Sequence, residues 1–302
     1  MLARLDNETI FKKAFTDKVV FQQFVKDIFG LEITVDKIET EKKFEPKIGH
    51  IDFKIDVYAE TTDRRFIIEI QRIDYDYNFS RFLHYFLMVL ADQQKNAEEY
   101  EPEQQVLGVV ILTSPYKINQ KTGKPIKDNV LLIDFNPRNL KGEMIEIWEH
   151  NLVFLNPHPK YQNKETPQNY QDWLDLFALS IDKKQVSIKI NLNNKGIAKA
   201  AELIELEKLD PVTLDQMKID NSRKVMIKLI EKESKEEGKK EGKEEGKNEK
   251  AIEMAINMLE ENEPIEKIVK YTNLTIETIE KLTNDLKNKN LHNMYHVKKH
   301  IF

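Results

Sequence analysis

Residues 51–72, I-D-F-K-I-D-V-Y-A-E-T-T-D-R-R-F-I-I-E-I-Q-R, constrain the fold more than any other part of the chain. Ile51, Phe53, Ile55, Val57 and Ala59 alternate with Asp52, Lys54, Asp56 and Tyr58, the period-2 pattern of a strand with one buried face. Thr61, Thr62 and Asp63 interrupt it. In the run that follows, Ile68 and Ile70 fall on one face and Glu69 and Gln71 on the other. Two such runs joined by a short polar turn predict a hairpin. Antiparallel partners share a constant sum of residue numbers, and a turn centred between Thr62 and Asp63 sets that sum at 125. The register pairs Ile55 with Ile70, Val57 with Ile68 and Ala59 with Phe66, giving each inward position an apolar partner. It also sets Asp56 opposite Glu69 and Lys54 opposite Gln71. Carboxylates directly across a ladder have Cβ atoms roughly 5 Å apart and repel unless something sits between them. A divalent cation is the simplest such thing.

At 302 residues the chain has room for one large or two ordinary domains, and with 40% hydrophobic residues it can bury a sizeable core. The absence of cysteine excludes disulfides, thiolate metal sites and cysteine nucleophiles, and suits a reducing cytoplasm. No apolar run approaches the roughly 20 residues of a membrane helix, and no signal-peptide apolar region opens the chain. The expected location is cytoplasmic, with no membrane partner. A net charge of −5 gives no global attraction for nucleic acid, so any such binding needs local basic patches.

Residues 7–29 carry Ile10, Phe11, Phe15, Val19, Phe24, Val25 and Ile28 near helical spacing, with Gly30 as the stop. Residues 32–45 hold an alternating stretch, Ile33, Val35 and Ile38, taken as the first strand. Residues 78–99 return to helical spacing and place Arg81 and Tyr85 four apart on one face. Residues 106–113, V-L-G-V-V-I-L-T, form the continuous apolar run of a fully buried central strand. A loop with Lys117, Lys121, Lys124 and Lys127 follows, and residues 130–135 and 144–148 predict two further strands.

Beyond Pro159 the pattern is helical, over residues 170–179, 196–209 and 211–250. The last ends in E-S-K-E-E-G-K-K-E-G-K-E-E-G-K-N-E-K, with Gly238, Gly242 and Gly246 spaced by four. Each glycine costs about 1 kcal/mol of helix stability relative to alanine, which makes this tract a frayed, charged linker. In residues 251–287, Pro264 opens one helix and Thr275 caps the next, an arrangement similar to a helix-turn-helix. Its second helix bears Glu277, Glu280 and Asp285, too acidic for a major-groove reader, so packing or association of copies fits it better. His292, His296 and His300 lie in a terminal tail.

The Asp56, turn, Glu69-x-Gln71 pattern resembles the D…(D/E)-x-(K/Q) core of the PD-(D/E)XK nucleases. D-V-Y-A-E…I-I-E-I-Q-R, with Glu8 three residues before Phe11-Lys12, resembles the Rpn family of recombination-promoting, transposase-like nucleases. The resemblance implies an α/β, restriction-endonuclease-like mixed sheet flanked by helices, followed by a mostly helical C-terminal region. The expected division is a core over 1–160, a helical extension packing on it over 161–230, a charged Glu/Lys/Gly helical linker over 231–250, a small helical, helix-turn-helix-like region over 251–290 and a tail over 291–302. The implied activity is hydrolysis of DNA by an endonuclease using Mg²⁺ or Mn²⁺. Asp56 and Glu69 would hold the metal. Gln71, Glu8 and Lys54 would complete the catalytic set, and Arg81, Tyr85 and Arg72 would contact substrate. Gln71 stands where most of the superfamily has Lys, and an amide supplies no positive charge; Lys54, opposite it in the register, is a source of that charge. The other reading is a weak or inactive nuclease-fold module that binds DNA or protein. Association of copies through the C-terminal helices goes with either.

The linker reading has a direct test. Limited proteolysis should cut first between Glu231 and Lys250, and protection of that tract with cleavage elsewhere counts against it.

Overall fold

The computed structural model describes residues 1–44, 53–71, 78–94, 102–116, 126–161, 163–182 and 188–286. Ile51, Asp52, Arg72, Lys117, Lys121, Lys124 and the three tail histidines lie outside the described residues.

The hairpin forms in the expected register. Strand β2, Phe53–Glu60, pairs antiparallel with β3, Arg64–Gln71, through Val57 with Ile68, Tyr58 with Ile67, Ala59 with Phe66 and Glu60 with Arg65. Strand β1, Ile38–Phe44, adds antiparallel to β2 and forms one edge of the sheet. The apolar run becomes β4, Gln105–Leu112, parallel to β3 along its whole length and buried from Val106 onwards. Parallel neighbours need a crossover, and helix α3, Asn78–Ala91, supplies it. The sheet is completed by β6, Asn151–Leu155, parallel to β4, and β5, Val130–Asp134, antiparallel to β6, giving the order β1-β2-β3-β4-β6-β5.

Residues 144–148 are not the sixth strand. A strand beside β4 is covered on both faces, so it needs apolar residues at consecutive positions. Leu152, Val153, Phe154 and Leu155 provide them and are buried, whereas Ile145, Ile147 and Trp148 are exposed. The long N-terminal helix is likewise two, α1 (Glu8–Phe15) and α2 (Lys18–Phe29). Asp17 separates them, its side chain accepting from the Val19 and Val20 amides to cap α2. Gly30 ends α2 in the left-handed conformation, φ 72°, as its place in the sequence suggests.

Each face of the sheet has its own core. Val57, Ala59, Phe66, Ile68, Ile70, Leu107, Val109 and Val153 pack with α1, α2, α4 (Gln168–Ile181) and α5 (Lys195–Leu203). Tyr58, Ile67, Val106, Val110, Leu152 and Phe154 pack with Phe82, Phe86 and Val89 of α3. Asp27 of α2 ties the first layer together, accepting from Gln23, the Trp173 indole and Asn194.

The chain divides into two compact units, Met1–Ser222 and Arg223–Phe302, and the boundary falls inside the span expected to end at 230. Helix α6, Pro211–Glu260, belongs to both and runs unbroken through the glycine-spaced tract. In the second unit, Ala255 of α6, Ile268 of α7 (Ile265–Thr272) and Ile279 of α8 (276–286) make a small core. The Thr275 hydroxyl accepts from the Thr278 amide and caps α8. Among the described residues no helix is long and apolar enough to cross a membrane.

The close approach of α5 to α2 is the tightest packing requirement. A Cβ on Gly196 would lie 2.5 Å from Gln23 Cβ and 3.3 Å from the Trp173 ring. Gly196→Ala should therefore cost about 1–3 kcal/mol in denaturant unfolding. A neutral result would mean that the two helices are not held at this distance.

Candidate active site

Between Ile55 and Val57 the alternation of β2 reverses. Residues two apart on a strand share a face, yet Ile55 and Phe53 enter the core under α3 while Val57 and Ala59 enter the core under α1 and α2. The expected pairing of Ile55 with Ile70 on one apolar face does not form, because Ile70 belongs to the other core. Asp56 sits at the switch. Its counterpart in the β1 register, which pairs Thr40 with Val57 and Lys42 with Ile55, is Glu41, and Glu41 has a left-handed backbone with φ 52°.

The carboxylates fill the gap that this twist opens. The Asp56 amide donates to Glu69 Oε1 at 3.0 Å, and the Ile70 amide donates to Asp56 Oδ2 at 3.0 Å. Side-chain oxygens thus accept from backbone N–H groups where the ladder diverges, and such charge-assisted bonds fix both carboxylates. They are side by side on adjacent antiparallel strands, with Glu69 only 4% exposed.

Burial dominates their ionisation. Desolvation pushes the Glu69 carboxyl well above the usual range, the Asp56 charge adds to the shift, and the Asp56 and Arg81 groups that donate to or attract it offset only part. Asp56 is also raised, first by desolvation and further by Glu8, against the Ile70 amide and Lys12, which favour its charged form.

Groups from both faces reach this point. Glu69 and Gln71 share the face of Ile67, on which α3 packs, and Arg81 Nη2 of α3 donates to Gln71 Oε1. Gln71 is 6% exposed. The Arg81 guanidinium also lies over the Tyr85 ring, 5.6 Å from its centroid, and Tyr85 stacks on Phe53 at 5.0 Å. Arg81 and Tyr85 are thus neighbours on one helix face, and it is Arg81, not Lys54, that brings positive charge to Gln71.

From the opposite face, α1 brings Glu8 and Lys12. Asn7 caps α1, and Asp220 of α6 accepts from both the amide and the hydroxyl of Thr9, fixing the first turn. Lys12 Nζ bonds Glu8 Oε1 at 2.5 Å and Glu41 Oε1 at 2.9 Å. Lys54 is exposed and pairs with Glu41 Oε2 at 3.2 Å. Among the described residues no group of three acidic or histidine side chains forms a metal-type cluster; Glu8 bonds Lys12, and its charge acts on Asp56. Glu41 had no signal in the sequence. Its role follows from the register and the positive φ, neither of which composition reveals.

A mixed six-stranded sheet, helices on both faces and an acidic pair on neighbouring central strands together define an α/β fold of the PD-(D/E)XK nuclease type. Residues 7–232 match the model of the PD-(D/E)XK nuclease family transposase, and the chain belongs to that family. The match spans Glu8, Asp56, Glu69, Gln71 and Arg81. No curated protein and no solved structure matches the chain.

The raised carboxyls predict a pH-dependent cost. A folded-state pKa above the unfolded value means that the folded state holds its proton longer. The pair therefore costs nothing below the unfolded value of about 4, and the cost grows as pH rises through the folded value. In EDTA at pH 7, Glu69→Gln should stabilise the protein on the order of 1 kcal/mol, with the gain vanishing as pH falls toward about 4. Thermal unfolding across pH reads this out, and a variant less stable than wild type at pH 7 contradicts it.

Proposed function

We propose that this chain hydrolyses DNA phosphodiester bonds as a metal-dependent endonuclease, using Mg²⁺ or Mn²⁺ held by Asp56 and Glu69. The observation that carries the reading is the pair itself: two hard oxygen donors, side by side, whose mutual repulsion and burial favour a divalent cation between them. Mg²⁺ is commonly bound through one or two carboxylates, with water and substrate phosphate completing its shell, so two acids suffice. Bound there, the cation lowers the pKa of a water molecule and stabilises charge on phosphate oxygen.

The chain's own groups set the stage for that chemistry. The Asp56 and Ile70 amides orient the carboxylates, and Arg81 holds the Gln71 amide while placing positive charge beside Glu69. This division of labour replaces a lysine at position 71 by an amide on the strand and a guanidinium on the helix. Cleavage of DNA is also the activity through which such a protein would promote recombination. Gln71 in the lysine position favours a second reading, a fold that binds DNA or protein and turns over weakly or not at all. Association of copies goes with both: Val225, Met226, Leu229 and Ile230 of α6 are exposed, and a mass that rises with concentration in sedimentation tests it.

Plasmid nicking with Mg²⁺, Mn²⁺ or EDTA decides between them. Asp56→Ala and Glu69→Gln should abolish cleavage, and Gln71→Ala should reduce it by about 10- to 100-fold, as for loss of an orienting polar group. Gln71→Lys should not help, because the new ammonium would be buried against Arg81. Protein that binds every DNA form and cuts none with either metal supports the binding module instead.

A further inference from the structure

Beside the acidic pair, Glu41 grips two lysines with one carboxylate. Oε1 accepts from Lys12 and Oε2 from Lys54, so the two ammonium groups sit on the two oxygens of a single anion. The three groups differ in exposure. The Lys12 side chain is 16% exposed, whereas Glu41 and Lys54 are each 52% exposed. Lys12 is close enough to Asp56 for each to favour the other's charged form. Both lysines help hold the Glu41 carboxyl below its usual range, Lys12 the more strongly.

The backbone sets this arrangement up. Glu41 stands opposite Asp56 in the β1–β2 register, and its φ of 52° is one that residues with a Cβ rarely adopt. Strain of this kind is kept where the surroundings over-determine it, and functional sites are where it gathers. Here it accompanies the reversal of β2 that puts Asp56 beside Glu69.

We propose that Lys12 and Lys54 form a phosphate-binding site next to the Asp56–Glu69 pair, and that Glu41 occupies it in the absence of DNA as a stand-in for a backbone phosphodiester. This rests on the nuclease reading above. A phosphodiester matches the Glu41 carboxylate in charge and presents two unesterified oxygens, as the carboxylate presents Oε1 and Oε2. Exposed ion pairs contribute little, so Glu41 is readily displaced, while each lysine transferred to a phosphate gains the release of condensed counterions. Glu8, which also bonds Lys12, keeps that ammonium in place during the exchange. The site reads no sequence, because contacts to phosphate position the duplex without distinguishing bases.

The test is DNA binding without turnover, measured by fluorescence anisotropy of a labelled short duplex with the full-length protein in Ca²⁺ and in EDTA, across salt. Glu41→Gln should tighten binding by about threefold or more. Lys12→Gln and Lys54→Gln should each weaken it for all sequences alike and lower the salt slope by about 1, whereas Lys12→Arg should retain wild-type binding. Glu41→Gly, which accepts the left-handed backbone, should tighten binding as Glu41→Gln does and so guards against a folding artefact. If wild type binds but Glu41→Gln and both lysine variants leave affinity and slope unchanged, the phosphate site is overturned and the nuclease reading stands. If wild type binds no DNA at low salt under either condition, both fall.

Discussion

Two carboxylates held side by side in a buried place are the constraint on which the rest of this structure depends. Taken out of water, each disfavours its own charge and that of its neighbour, which is why both ionise with difficulty. A fold keeps such a pair only if other contacts hold it in place. Here the contacts are local and global at once. Locally, each carboxylate accepts a backbone N–H from the facing strand. Globally, the strands that carry them are clamped between two apolar cores on opposite faces of the sheet. Because β2 changes faces at Asp56, its residues serve both cores, and side chains from α1 and α3 reach the acidic pair from opposite directions.

Much of the hairpin was legible because its rules are arithmetic. A period of two, a polar turn and the need for apolar partners leave one register, and Val57, Tyr58, Ala59 and Glu60 adopt it. Gly30 and Thr275 were legible for a similar reason, since one local residue choice decides a helix end. The reversal at Asp56 was not. Ile55 is apolar and suits either core, so nothing in the pattern marks which face it enters. The sixth strand escaped for a related reason. Residues 144–148 alternate well, but a position covered on both faces selects for unbroken apolarity, and that property belongs to residues 152–155. Pattern reveals which residues are buried more readily than which layer buries them.

The second unit shows the opposite balance. Its core rests on Ala255, Ile268 and Ile279 with a few partly buried neighbours, far less apolar material than the sheet commands. Small cores supply few kcal/mol. The tract before it offers no apolar face, and its glycines meet nothing within 4 Å where a Cβ would stand. Its helix is therefore sustained by backbone hydrogen bonds and charge pairs such as Lys232 with Glu236, contributions of a few tenths of a kcal/mol each. Glycine cost bears on the stability of this tract, and its conformation is helical.

The placement of positive charge is the last step. A lysine at position 71 would have to bury an ammonium on β3 between two cores, where only the acids beside it could compensate. Gln71 avoids that burden and still offers polar groups in a place that is 6% exposed. The charge then comes from side chains with room to be solvated or stacked. The planar guanidinium of Arg81 lies against the Tyr85 ring while bonding Gln71. Lys12 arrives from the other face, with carboxylate partners of its own. Distributing the cations over two helices ties the electrostatics of the acidic pair to the packing of α1 and α3 on the sheet. A shift of either helix would unbalance the charges at Asp56 and Glu69 without touching them, which makes the hydrophobic layers part of the site's electrostatics.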